Sequence, residues 1–129
     1  MTHDLSQYVG LPYVERGRDR SGVDCWGLPV LAYRELLGVE LPHYVGAPGI
    51  EERAELDMLI AGQRETGPWR TVDTPQALDV ALMRVGGYVC HVGLWDGHGR
   101  ILHAFARRVV LVPVRRLPGP IVLTSRYVL

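Results

Sequence analysis

Cys25, His91 and His103 are residues of the kinds that carry out acyl transfer. A cysteine attacks a carbonyl as its thiolate, and an imidazole is the usual group that takes the thiol proton. Cys25 lies in the run Asp24-Cys25-Trp26-Gly27-Leu28-Pro29. Behind it, Leu28, Leu31, Ala32 and Leu36 recur at helical spacing, and Gly38 follows as a stop signal. Proline is tolerated in a first helical turn and not in an interior. Pro29 therefore predicts a helix that begins close to Cys25, with Asp24 or Ser21 as its cap. Unpaired N–H groups and a partial positive charge at such an end predict a lowered thiol pKa. A buried, inert thiol in an apolar helix is the competing reading. The position of Cys25 alone leaves both open.

The histidines sit on runs that read as strands. In YVCHVGLWD, alternation sets Val89, His91, Gly93 and Trp95 on one face and Cys90, Val92 and Leu94 on the other. In RILHAFA, Ile101, His103 and Phe105 share a face. The intervening Asp96-Gly97-His98-Gly99 is a hairpin signal. An odd-length loop would set His91 opposite His103 or diagonal to it. One imidazole can then serve as base while a further polar group fixes its tautomer and tilt. Strand histidines are otherwise structural. Cys25, Cys90, His91 and His103 also suggest zinc, but adjacent Cys90 and His91 point to opposite faces, so no metal is expected. A disulfide between the two cysteines is disfavoured in a reducing compartment, and Cys90 reads as a core residue behind the sheet. His3, His43 and His98 fall in a terminus, a loop and a turn.

The elements around these residues are those of one domain spanning 1–129. Acidic and basic residues balance at 14 each, which gives no electrostatic reason to bind nucleic acid or an anionic membrane. Arg16, Arg18 and Arg20, Arg107 with Arg108, and Arg115 with Arg116 read as solvated faces. No apolar stretch is long enough to span a bilayer. The N-terminal MTHDLSQYVG has no secretory pattern, so the expectation is a protein made in the cytoplasm. The segment up to about Gly22 reads as a short helix and a loop. EERAELDMLIAGQRE, at 51–65, reads as a second helix, and WRTVDTPQ as a polar loop. Then come ALDVALMRV, YVCHVGLWD, RILHAFA, VVLVPV and IVLTSRYVL, rich in β-branched residues and separated by Gly or Pro. Helices first and strands afterwards predict an α+β fold, with N-terminal helices packed on an antiparallel sheet.

The stretch GLPYVERGRDRSGVDCWGL, then CHVGLWDG, then ILHA resembles the NlpC-type cell-wall peptidases, which are papain-like cysteine peptidases. The matching pieces are Pro12-Tyr13-Val14, Gly22 to Leu28, His91 to Leu94, and His103. They occur in the family's order over most of the chain. The resemblance implies cleavage of peptidoglycan stem peptides at the bond between γ-D-glutamate and a diamino acid, with no cofactor. Cys25 would be the nucleophile, His91 the base and then the acid, and His103 the group that orients it. Tyr13 would line the site and help hold the oxyanion. Asp24 and Trp26, beside the nucleophile, would line the substrate site. Trp26 departs from the small residue that usually follows the cysteine, and it either narrows the cleft or packs as a core aromatic. Pro29 and the long 45–75 segment also depart from the pattern.

Asp-Cys-Trp-Gly-Leu followed by Tyr33-Arg34-Glu35-Leu36 is similar to a phage tail branch of the family. That similarity implies a virion-borne enzyme acting in the periplasm or wall, with tail-tip proteins as partners. Two other readings stand beside it. One is a tail-tip assembly protein with little catalysis. The other is an amidase or thioesterase on the same scaffold, since the residues specify acyl chemistry and not the acyl group.

Overall fold

Antiparallel strands need only short turns between them, and the Gly- and Pro-punctuated runs of the second half pair accordingly. The computed structural model describes residues 4–42 and 68–128. Strands β4 (Val80–Val85), β5 (Tyr88–Trp95), β6 (Arg100–Phe105), β7 (Arg108–Pro113) and β8 (Ile121–Tyr127) follow the five predicted runs. With β3 (Trp69–Thr71) they form one six-stranded sheet in the order β3-β8-β4-β5-β6-β7, every neighbouring pair antiparallel. The predicted polar loop WRTVDTPQ thus contains a strand. Three mostly polar residues carry no periodic signal, but Trp69, Arg70 and Thr71 find backbone partners at the free edge of β8.

Helix α1 (Gly27–Leu37) is the one α-helix among the described residues. The short N-terminal helix expected from sequence is instead a 3-10 turn, Leu5–Tyr8, followed by the small strands β1 (Arg18–Asp19) and β2 (Gly22–Val23). The helix predicted over 51–65 lies outside the described residues, as does His43. Leu28, Val30, Leu31 and Ala32 of α1 are buried with Leu82, Val92, Leu94, Leu102, Ala104 and Val109 of the sheet. Each large apolar side chain so covered contributes roughly 1.5–3 kcal/mol. Gly38 ends the helix at φ 67°, its N–H turned back to the Tyr33 and Arg34 carbonyls.

An edge strand exposes unpaired N–H and C=O groups, and β7 is such an edge. The segment 10–13 covers it. Gly10 N–H donates to the Val109 carbonyl, Val109 N–H to Leu11 and Tyr13 N–H to Arg107, at 2.8 to 2.9 Å. The same segment bonds β2: Val23 N–H donates to Pro12 and Val14 N–H to Val23. This strap ties the edge of the sheet to the chain that enters α1.

Candidate active site

Asp24 lies three residues ahead of Gly27, where α1 begins with Trp26 as its cap residue. The Asp24 carbonyl accepts from Leu28 N–H at 3.2 Å, and its carboxylate Oδ1 accepts from Gly27 N–H at 2.7 Å. Of the two expected caps it is Asp24 that bonds the helix start, and Cys25 stands in the turn just ahead of α1. Ser21 instead donates to Asp19. The rest of the Asp24 carboxylate holds the preceding loop: Arg18 Nη1 donates to Oδ1 at 2.8 Å and Arg16 N–H to Oδ2 at 2.8 Å. Both oxygens are bonded within the chain, which gives Asp24 a positioning role ahead of Cys25. Gly27 is required by close packing, since a Cβ there would fall 1.8 Å from the Gly17 carbonyl oxygen.

Strands β5 and β6 pair only at Leu94↔Leu102 and Trp95↔Ile101. Continued, that register would set Val92 opposite Ala104 and His91 opposite Phe105. The strands part before reaching those pairs. Cys25 packs against the core cluster that holds Val92 and Ala104, with the Val92 backbone N–H acting on its thiol. The residues ahead of α1 thus bring the thiol against the histidine strand.

His91 and His103 meet across the same opening, with Nε2 of His91 2.9 Å from Nδ1 of His103. The connection between their strands is odd in length, Gly97-His98-Gly99, closed by Asp96 N–H on the Arg100 carbonyl. This puts the two histidines in the diagonal relation. Gly93 makes it possible: a Cβ there would stand 2.5 Å from Ile101 Cγ2, 3.0 Å from the Leu102 oxygen and 3.1 Å from His103 Cβ. Phe105 packs edge-on against both imidazoles, at 5.4 Å from His91 and 5.8 Å from His103. Sequence reasoning set Phe105 on the His103 face but assigned it no part.

Both histidines are buried, at 1% and 3% exposure. Burial, with the neighbouring His103, pushes His91 down to about 3, and burial pushes His103 down to about 4. Both are neutral at pH 7, so one nitrogen of the 2.9 Å contact carries its proton. His91 Nδ1 is buried and has no hydrogen-bond partner. A buried polar atom left unpaired costs about 1–3 kcal/mol and calls for an explanation.

The expectation of a lowered Cys25 pKa is reversed. Burial, then the Asp24 carboxylate, pushes the thiol up to about 12, against the pull of the Val92 hydrogen bond and Arg18. Desolvation outweighs the helix end here. The resting pair is thiol and neutral imidazole. Tyr13 is half-buried, and burial, with Cys25 and Asp24 nearby, pushes its phenol up, so it stays a donor. Trp26 takes the packing alternative: its indole N–H donates to the Pro42 carbonyl at 2.7 Å, and its ring meets Trp69 edge-on at 5.9 Å. Among the described residues no three His, Cys, Asp or Glu side chains converge as a metal ligand set.

A model of the NlpC/P60 family matches residues 10–120. Escherichia coli K12 murein DD-endopeptidase MepS/murein LD-carboxypeptidase is 27% identical over 111 residues, 84% of this chain. The chain spans about half, 51%, of that relative's length. The fold is shared with the NlpC/p60 domain of the peptidoglycan hydrolase SagA, at 23% identity and TM-score 0.62 over 92% of this chain and 88% of that one. An NlpC/P60 family protein from Bacillus cereus ATCC 10987 superposes with TM-score 0.66 at 25% identity, over 96% of this chain and 38% of the other.

Proposed function

The chain belongs to the NlpC/P60 family, and on that premise we propose that it is a cysteine peptidase that hydrolyses peptidoglycan stem peptides. The observation that carries the proposal is the unpartnered, buried Nδ1 of His91, on a ring whose other nitrogen is held by His103. A base must keep a lone pair free for the proton it takes. With Nδ1 as acceptor, Nε2 carries the ring proton and donates it to His103 Nδ1, and His103 is protonated on Nε2. Cys25 gives its proton to His91 Nδ1 as its sulfur attacks the scissile carbonyl. The imidazolium then protonates the leaving amine, and a thioester remains on Cys25. Water, deprotonated by the same nitrogen, hydrolyses the thioester and regenerates the thiol. Tyr13, as a permanent donor beside Cys25, stabilises the oxyanion; one such donor is worth about 3 kcal/mol of barrier. His103 is a positioning residue for His91.

The bond we assign is the amide between γ-D-glutamate and the diamino acid. MepS is named for DD-endopeptidase and LD-carboxypeptidase activity on murein, so the bond is the first point to test. A synthetic L-Ala-γ-D-Glu-diamino acid-D-Ala peptide distinguishes the choices by product mass. Release of L-Ala-D-Glu supports the assignment, while release of D-Ala alone overturns it.

The phage tail location is proposed on Asp24 to Leu28 and Tyr33 to Leu36 alone. Within the fold, Tyr33 donates to the Leu78 carbonyl, Arg34 pairs with Glu40, and Glu35 accepts from Tyr8 and Arg20. Mass spectrometry of purified virions from the producing strain tests the location, and absence of the chain from them rejects it.

A further inference from the structure

The β6–β7 hairpin turns at Ala106-Arg107, with Phe105 paired to Arg108. Phe105, Ala106, Arg107, Arg108 and Val110 line a cavity of about 470 Å³. The lining residues touch the candidate site in three ways. Phe105 packs on both imidazoles. Val110 is the cross-strand partner of His103. The Arg107 carbonyl holds the N–H of Tyr13. Directly paired residues share a face of a sheet, so Arg108 lies on the side of Phe105 and His103.

Among the described residues the charges on this rim are left without a carboxylate, as those of Arg115 and Arg116 are, but only here does such a pair line the cavity beside the histidines. Arg18, Arg20, Arg34, Arg100 and Arg126 each pair with a carboxylate. Among the described residues, Arg107 and Arg108 pair with none, although both are exposed and adjacent. Two unneutralised guanidinium groups beside a mostly apolar cleft attract an anion, and a planar guanidinium matches a carboxylate in two parallel hydrogen bonds. Phe105 supplies an apolar wall that lowers the local dielectric. The strap holds the rim from behind, through Tyr13 on Arg107 and the Pro12↔Arg108 bridge.

We propose that Arg107 and Arg108 form a substrate-binding subsite for a free carboxylate of the peptide being cut. Arg108 pairs two residues beyond His103, about 7 Å along the sheet. Such a separation suits a carboxylate on a residue flanking the scissile bond. Two carboxylates of a stem peptide qualify by chemistry: the one left free by a γ-linked glutamate, and the one on the side chain of a dicarboxylic diamino acid. This inference rests on the peptidase reading, but binding tests it apart from cleavage.

The experiment measures binding of three tripeptides to Cys25→Ala protein by calorimetry: L-Ala-γ-D-Glu-diaminopimelate, the same peptide amidated on the glutamate α-carboxylate, and the same peptide amidated on the diaminopimelate side chain. Loss of one charge-assisted contact at a solvent-facing site corresponds to roughly tenfold weaker binding. One amidated peptide is expected to bind about tenfold more weakly than the parent, and which one identifies the carboxylate. In the Cys25→Ala/Arg108→Gln and Cys25→Ala/Arg107→Gln proteins that difference should shrink, with affinity for the amidated peptide unchanged. Equal affinity for all three peptides, no binding of any, or discrimination that survives both glutamines overturns the subsite. Cleavage by the Cys25-intact protein is scored separately. Cleavage without carboxylate discrimination rejects the subsite and keeps the peptidase reading. Discrimination in binding without cleavage does the reverse.

Discussion

Replacing Gly93 with alanine should separate the two imidazoles without replacing either histidine. The added methyl would meet Ile101 Cγ2 at 2.5 Å, the Leu102 oxygen at 3.0 Å and His103 Cβ at 3.1 Å, where ordinary contact begins at 3.4 Å. Ile101 is fully buried, so its side chain has little room to rotate away. Strand β6 must then move off β5 by about 0.3–0.4 Å if Ile101 yields and by about 0.9 Å if it does not. The larger shift carries the 2.9 Å contact between His91 and His103 beyond hydrogen-bond range. Overpacking of this kind costs about 1–3 kcal/mol of stability. Misplacement of a reacting group by about 1 Å costs up to a hundredfold in rate. The assay is steady-state cleavage of the synthetic stem peptide, with urea unfolding alongside. The expected result is a kcat lowered roughly 10- to 100-fold, KM nearly unchanged, and a folded protein at 25 °C. A Gly93→Ala protein with wild-type kcat would refute the claim that close approach of β6 positions the base.

Acid should destabilise the protein through the same pair. Burial lowers both histidines from 6.5, to about 3 and about 4. Above pH 6.5 neither the folded nor the unfolded chain protonates them, so their contribution is fully present there. Below it only the unfolded chain takes up protons, and stability falls by about 1.4 kcal/mol per pH unit for each histidine until the folded pKa is reached. Between pH 7 and pH 5, urea unfolding of a His103→Asn protein should therefore lose about 2 kcal/mol less than wild type; equal losses would contradict the burial argument. Asp24→Ala removes the acceptor of the Gly27 N–H at the start of α1 and the anchor of Arg16 and Arg18. It should lower stability by about 1–2 kcal/mol and lower kcat as well, whereas unchanged activity would show that Asp24 does not position Cys25. Cys25 alkylation by iodoacetamide, followed by peptide mapping, should be slow at pH 7 and keep rising through pH 9, because burial pushes the thiol up to about 12. A plateau near neutral pH would instead mean a thiolate at rest.

The histidine pair was legible because two local rules agree. Strand alternation set His91 and His103 on usable faces, and a glycine-rich odd loop fixed their register. The helix start was legible from Pro29 to within two residues, since α1 begins at Gly27 and not at Cys25. The strap was not, since its pairing involves single residues at Gly10, Leu11 and Tyr13 that have no period. Strand β3 was hidden by its polar residues, because it forms only against an edge that tertiary structure provides. The Cys25 pKa was misjudged because a helix end is a local feature while desolvation depends on everything packed around the sulfur. The hold of Asp24 on Arg16 and Arg18 likewise depends on a loop fold that spacing does not encode.

The central claim is that Cys25 and His91 cut wall peptides. Its most direct test is digestion of purified peptidoglycan by wild type, Cys25→Ala and His91→Ala proteins, with released fragments read by mass spectrometry. The account predicts soluble peptides with new amino termini at the diamino acid from wild type, and none from either variant. Release of the same peptides by the Cys25→Ala protein would contradict it.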